Sequence, residues 1–322
     1  MNQSDRRTSR GLPLAARWGV LVCLVCAPSL VFAQAIVPGT GQRSLKASDD
    51  FEDAKWSYRF NLPKSSQENN HQERLPTGGS VNGRWYEGVK RGQPDVIERV
   101  ATPSGGIAGS RGSLLMRSQE TGVPGMFSGQ NQQDDLIFNV AASERGAIPV
   151  SWSPSVVVRV YLPPWDQWER RAGSSFGFRA SCFGSGVPSE RTGRRRGGGT
   201  KSDTYWPGMF IRFVAGDGAK TPDSARLILR AGPQGQDFAG PQITQSGWWT
   251  LGMSFSPDGQ VHYYAHAGVD DLRAEDHLSS QFPYGARAER LDTYFFNVVS
   301  GDNGNWSTPW VIDDPSLYYT RW

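Results

Sequence analysis

The stretch GWWTLGMSFSPDGQVHYYAHA, Gly247–Ala267, decides the fold class of this chain. Two apolar, aromatic-rich runs flank Ser256-Pro257-Asp258-Gly259-Gln260, and an Asp-Gly pair between such runs is a strong β-hairpin signal. Runs of the same kind recur outward from it: SVVVRVYL (155–162), SSFGFRAS (174–181), GMFIRFVA (208–215), ARLILRA (225–231), TYFFNVVS (293–300) and WVIDDPSLYY (310–319). They are short, rich in β-branched and aromatic residues, and bounded by Gly, Pro, Asn and Asp. Helical periodicity is limited to a short candidate near Asp270–Ser280. No repeat at a fixed period suggests a propeller or solenoid. The pattern predicts an all-β protein, a two-sheet antiparallel jelly-roll sandwich.

The chain has 322 residues and opens on Arg6, Arg7, Arg10 and Arg17, the 15-residue apolar run Trp18–Phe32, then Ala33 and Ala35. That order is the pattern of an export signal. The run is short of the roughly 20 residues a membrane span needs. Residues 1–35 are therefore expected to be a signal peptide and 36–47 a mobile leader. A single domain is expected over 48–322, with no transmembrane segment and a periplasmic, cell-surface or extracellular location. The chain carries 34 Lys and Arg against 31 Asp and Glu; without the four arginines and Asp5 of residues 1–35 the balance is 30 to 30. Global charge thus gives nucleic acid no support as a partner. Cys182 would be the one cysteine left, so neither an intrachain disulfide nor a cysteine-rich zinc site is expected. The glycine-rich basic stretch at 184–203, with Arg194, Arg195 and Arg196, has the composition of a loop.

GWWTLGMSFSPDGQVHYYAHAGVDDL (247–272) resembles the tryptophan-led strand, turn and aromatic strand of concanavalin A-like lectin/glucanase domains. VIDDPSLYY (311–319) resembles the closing strand of these and related carbohydrate-binding jelly rolls, and DDFEDAKW (49–56) the opening one. VVVRVYLPPWDQWERRAGSSFGFRA (156–180) is similar to jelly-roll polysaccharide lyases. The resemblance implies that first and last strands pair. Glu52 would then lie near Asp313 and Asp314, an oxygen-rich set suited to a structural calcium; the alternative is that the two aspartates diverge and bond to loop backbone. No cofactor is required by this reading. A glycan or polysaccharide is the implied partner.

Strand alternation places Arg159 with Tyr161 on one face and sets Arg179, Arg212 and Arg230 opposite the apolar residues of their own strands. If these strands share a sheet, their arginines form a band able to pair with carboxylate or sulfate. A solvated sheet exterior is the other reading. His262, Tyr264 and His266 share one face of VHYYAHA (261–267): Tyr264 or His262 can move a proton if the protein is a lyase, and His266 can contact sugar. The Glu-x-Asp-x-(x)-Glu acid pair that retaining glycosidases of the superfamily carry is missing, as are Gly-x-Ser-x-Gly and phosphate-loop motifs. The expectation is a protein that binds polysaccharide through an arginine- and aromatic-lined sheet face. The alternatives are a lyase acting on uronate-containing glycans and a noncatalytic structural envelope protein.

Overall fold

The computed structural model describes residues 35–67, 76–186, 203–218 and 220–320. Residues 1–34 of the expected signal peptide and 187–202 of the basic stretch lie outside the described residues. Along the chain run β1 (Gln42–Ser48), β2 (Tyr58–Arg59), β3 (Gly79–Ser80), β4 (Trp85–Glu87), β5 (Val96–Val100), β6 (Ser113–Arg117) and β7 (Gln132–Phe138). There follow β8 (Ile148–Pro149), β9 (Ser155–Leu162), β10 (Ser174–Gly186), β11 (Asp203–Tyr205), β12 (Gly208–Val214) and β13 (Ser224–Arg230). The last six are β14 (Asp237–Ile243), β15 (Gly247–Phe255), β16 (Val261–Ala267), β17 (His277–Gln281), β18 (Ala286–Ser300) and β19 (Trp310–Tyr319).

These strands make the expected two-layer antiparallel sandwich. The smaller sheet has the order β17-β16-β15-β9-β19-β6-β5, with β1 added on β19; the larger runs β14-β13-β12-β10-β18-β7-β4-β3-β2, with β11 on β10 and β8 on β18. The diagnostic hairpin forms in the register that alternation demands, Trp249 opposite Ala267 and Phe255 opposite Val261. Its turn closes with Ser256 N–H donating to Gln260 O at 3.1 Å, and Gly259 supplies the positive φ of 83°. Alternate residues of each strand face the shared core: Val156, Val158, Val160 and Leu162 from β9, Phe176 and Phe178 from β10, and Leu136 and Phe138 from β7 are all fully buried.

Two expectations about the chain's ends are corrected. Residues 42–47 are no leader: β1 pairs with β19, Gln42 opposite Tyr319 and Ser44 opposite Leu317, so this segment covers an otherwise unpaired stretch of sheet. The strand that meets the end of the chain is therefore β1, and DDFED turns away after Asp49, whose N–H donates to Pro315 O at 3.0 Å. Pro315 is tolerated in β19 because it follows a bulge between Asp313 and Ser316, where Asp314 adopts a φ of 45°. The candidate helix near 270–280 is a 3-10 turn, Ala274–Asp276, leading into β17. A single turn of α-helix, α1 (Val140–Ser143), was not legible; Asn139 caps it by accepting from Ala142 N–H at 3.0 Å. Among the described residues no helix is long and apolar enough to cross a membrane.

Asp49 anchors the irregular chain after β1. One carboxylate oxygen accepts from the indole N–H of Trp85 at 2.8 Å, the indole N–H of Trp56 at 3.1 Å and the Asn82 amide at 2.9 Å. Asp49→Ala would strand two buried indole donors, each costing about 1–3 kcal/mol. Urea denaturation of that variant is expected to show a stability loss of roughly 2–4 kcal/mol.

Candidate functional site

The outer face of the larger sheet is the complement of its core face, and two rows of residues cross it. Asp135, Asn297, Gly177, Phe210 and Ile228 stand opposite one another from β7 through β18, β10 and β12 to β13. Ile137, Phe295, Arg179, Gly208 and Arg230 form the next row. From these rows Asp135, Ile137, Phe295, Arg179 and Arg230 floor a groove of about 530 Å³. Tyr86, the Gly88–Gly92 bend with Lys90 and Arg91, Trp206 and Tyr284 form its rim. A cavity of about 310 Å³ with Gln133, Asn131 and Phe210 adjoins it and shares Arg91 and Arg230, so the concavity extends across the sheet.

Arg179 is the central group. It is 7% exposed, lies between Phe210 and Phe295 with its guanidinium 5.5 and 5.2 Å from their ring centroids, and donates from Nη2 to Trp206 O at 2.9 Å. Gly208 is required beside it, because a Cβ there would stand 2.5 Å from Arg179 Cγ. Arg179 has no ion-pair partner among the described residues, and its Nε is buried without a hydrogen-bond acceptor. Burial pushes its pKa down to about 10, with the nearby Tyr284 opposing and Arg230 reinforcing the shift. Arg230 also lies over the Phe210 ring, 4.6 Å from its centroid, but is held by Asp237 through two bonds of 2.9 and 3.1 Å.

Acceptors complete the floor. Asp135 Oδ1 takes the Asn297 amide at 2.6 Å and the Gln133 amide at 2.8 Å, and burial raises its carboxyl above the usual range. Asn297 Oδ1 is buried without a partner. Burial and Asp292 push the Tyr86 phenol up to about 12, which keeps it a neutral donor. Tyr284 is held in left-handed backbone at φ 60° and ψ 17°, with its hydroxyl donating to Trp206 O at 3.3 Å. A guanidinium without an ion-pair partner on a concave floor, under aromatic walls, is an arrangement that a polar ligand can complete.

The arginines expected in one band divide between the sheets. Arg179 and Arg230 line the groove, whereas Arg212 points outward from β12 into solvent opposite Arg226. Arg159 and Tyr161 belong to β9 of the smaller sheet. Arg159 is buried against Val269 O at 3.2 Å and Asp271 at 2.7 Å, and Tyr161 packs on Trp248. His262, Tyr264 and His266 share one face, but it too belongs to the smaller sheet, and His262 and Tyr264 on it are buried while His266 is half-buried. Tyr264 clusters with Val157 and Leu272 beneath Val37, and His266 pairs with Asp276 at 2.9 Å. His262 is fully buried between Ser280 at 2.6 Å and Ser256 at 2.8 Å. Nor does the oxygen set assemble for calcium. Glu52 receives the Arg111 and Gly112 N–H groups, Asp313 is buried and accepts from Ser110 at 2.8 Å, and Asp314 faces Arg43 and Arg159. Among the described residues no three His, Cys, Asp or Glu side chains gather as a metal site.

The buried histidine carries a pH prediction. Burial, aided by His277 and opposed by Asp258, lowers the His262 pKa to about 4 from an ordinary 6.5. The unfolded chain then takes up the proton first as pH falls, so this group's contribution is complete above about 6.5 and erodes towards about 4. The melting temperature is expected to fall more steeply across that window in the wild type than in His262→Asn.

No family model matches the chain, and no curated protein matches it. Its structure is similar to that of a carbohydrate esterase from Shiga toxin-encoding bacteriophage phi24B, at 10% identity over 87% of this chain and 100% of that one, with a TM-score of 0.42. It is also similar to an alginate lyase from Pseudomonas aeruginosa, at 8% identity over 71% and 87% of the two chains, TM-score 0.38. A non-specific endo-β-1,3(4)-glucanase matches at 13% identity over 90% and 95%, TM-score 0.39.

Proposed function

We propose that the protein engages a polysaccharide along the outer face of its larger sheet, and that the preferred chain is acidic. The observation that carries this reading is Arg179, a buried guanidinium on the floor of the groove with an unused Nε donor and no carboxylate paired to it among the described residues. A desolvated cation gains most from an anion that arrives with the ligand, and guanidinium suits a carboxylate or sulfate. Tyr86, Trp206 and Tyr284 offer apolar ring surface with polar tips to the sugar faces. Asp135 supplies an acceptor for hydroxyl groups.

A second reading, a lyase acting on uronates, is favoured by one detail. The Tyr284 phenol is close enough to Arg230 and Arg179 to influence both guanidinium groups. In this reading Arg179 neutralises the uronate carboxylate, Tyr284 as the phenolate takes the proton alpha to it, the bond from the next ring carbon to the glycosidic oxygen breaks as the carbon–carbon double bond forms, and Tyr284 returns the proton to the departing oxygen. Tyr284 takes the place that His262 and Tyr264 cannot fill from the covered face of the other sheet. An exported location, from the pattern of residues 1–35, belongs to the same proposal; N-terminal sequencing of the secreted fraction should then begin near Gln34 or Ile36.

The test is titration of polyuronate, sulfated and neutral polysaccharides into the protein, with ultraviolet absorbance followed for unsaturated products. Acidic chains are expected to bind more tightly than neutral ones and to weaken with salt. Arg179→Gln should lower that affinity roughly ten- to a hundredfold, the loss of a charged hydrogen bond. Products formed by the wild type and abolished in Tyr284→Phe with binding retained would establish the lyase. Binding of no polysaccharide would overturn both readings and leave a structural role.

A further inference from the structure

Away from the groove, where the two sheets meet at one edge of the sandwich, a lysine is driven into the interior. Lys64 has a side chain only 4% exposed, and its Nζ donates to Asp134 Oδ2 at 2.7 Å and Asp95 Oδ1 at 2.8 Å. Asp134 is the neighbour of Asp135 on β7, so alternation points it away from the groove and into the interlayer, where it is completely buried. Ser118 Oγ donates to its Oδ2 at 2.6 Å, while its Oδ1 is left with no partner. The far oxygen of Asp95 accepts the N–H groups of Gln119 and Glu120, both at 2.7 Å. Glu120 also carries a buried, unpartnered oxygen, and a cavity of about 220 Å³ lined by Lys64, Asp95 and Glu120 adjoins the cluster.

One amine and three carboxyl groups thus share a confined space, with the amine in contact with the driest of them. A dry environment penalises the charged pair relative to the neutral amine and carboxylic acid. Contact of the two reacting groups removes the entropic part of the barrier to their joining. We propose that Lys64 and Asp134 condense into an intramolecular isopeptide bond. A proton passes from the Lys64 ammonium to the Asp134 carboxylate, and the freed amine attacks Asp134 Cγ. Asp95 or Glu120 then carries a second proton from the nitrogen to Oδ2. The Cγ–Oδ2 bond breaks, Oδ2 departs as water into the adjoining cavity, and Oδ1 remains as the amide carbonyl. Ammonium plus carboxylate gives amide plus water, so the step needs no oxidant, reductant or second molecule. Burial raises the Asp134 carboxyl well above the ordinary range, which favours its acid form. Lys64 is raised as well, its burial outweighed by Asp134 and Asp95, so the first proton transfer is the uphill step. The bond would fasten the segment before residue 65 to β7.

Peptide mapping of the purified, denatured protein decides the matter. Tryptic digestion of the wild type is expected to yield one branched species in which the Lys64 peptide is joined to the Asp134 peptide, lighter by one water than their sum. Cleavage after Lys64 should be blocked. In Lys64→Arg the branched species should disappear and two linear peptides take its place. A wild-type map with the Lys64 bond cleaved and the Asp134 peptide linear would overturn the proposal, whatever the fate of any variant.

Discussion

The two sheets are locked by an aromatic seam, and the position of every outward-facing group depends on it. Trp168 meets Trp310 at 4.9 Å between ring centroids, Trp310 meets Phe176 at 4.9 Å, Phe176 meets Phe296 at 5.8 Å, and Phe296 meets Trp85 at 5.7 Å. Trp310 belongs to the smaller sheet, yet its indole N–H donates to Ser175 O of the larger one at 3.1 Å. With Phe176, Phe178, Phe296 and Phe138 fixed inward, the pleat must turn Gly177, Arg179, Asn297 and Asp135 outward. A slip of one residue in β10 would bury the arginine and expose two phenylalanines. Core packing and groove composition are two faces of one choice of register.

The rim depends on a buried acid. Glu87 alternates with Tyr86 in β4, so as Tyr86 faces the groove Glu87 enters the interior, fully buried. There it accepts from the Asn61 amide at 2.9 Å, Ser65 N–H at 2.6 Å, Thr77 N–H at 3.1 Å and Gly78 N–H at 3.2 Å. These bonds organise a stretch whose own strands are only two or three residues long. They also fix the base of the Gly88–Gly92 bend that brings Lys90 to 5.3 Å above the Trp206 ring, across the groove mouth.

Strand content, the Asp-Gly hairpin and the two-layer architecture were legible because they are local: period-two alternation and turn chemistry lie within ten residues of one another. Which sheet a strand joins is not local. Arg159 and Arg179 look alike in sequence, each an arginine alternating with large apolar residues, but β9 and β10 separate into different layers. His262, Tyr264 and His266 of VHYYAHA share one face, yet Val37 and Leu272 pack against Tyr264 on it, and the contact between Val37 and Tyr264 spans more than 200 residues of chain. Asp135 and Asn297 were missed because they meet only through the pairing of β7 with β18. The available signal was the run Gln132-Gln133-Asp134-Asp135, polar on both faces at the start of a strand that ends Leu-Ile-Phe. Consecutive acids in such a strand imply one carboxyl outside and one inside, and the inside one needs a cation.

Charge is distributed so that the groove differs from the molecule around it only at short range. Outside residues 1–35 basic and acidic residues balance at 30 to 30, the totals of 34 and 31 less four arginines and one aspartate. A molecule so balanced exerts little long-range pull on a polyanion. The groove departs from that balance, with Lys90, Arg91, Arg179 and Arg230 against Asp135 and Asp292. Such a local excess fades within about 10 Å at moderate ionic strength, so it favours anionic groups only once they are at the rim. Under the proposed reading, discrimination inside the rim would fall to the buried floor, where the low dielectric would strengthen an anion's pairing with Arg179 over contact with a neutral sugar.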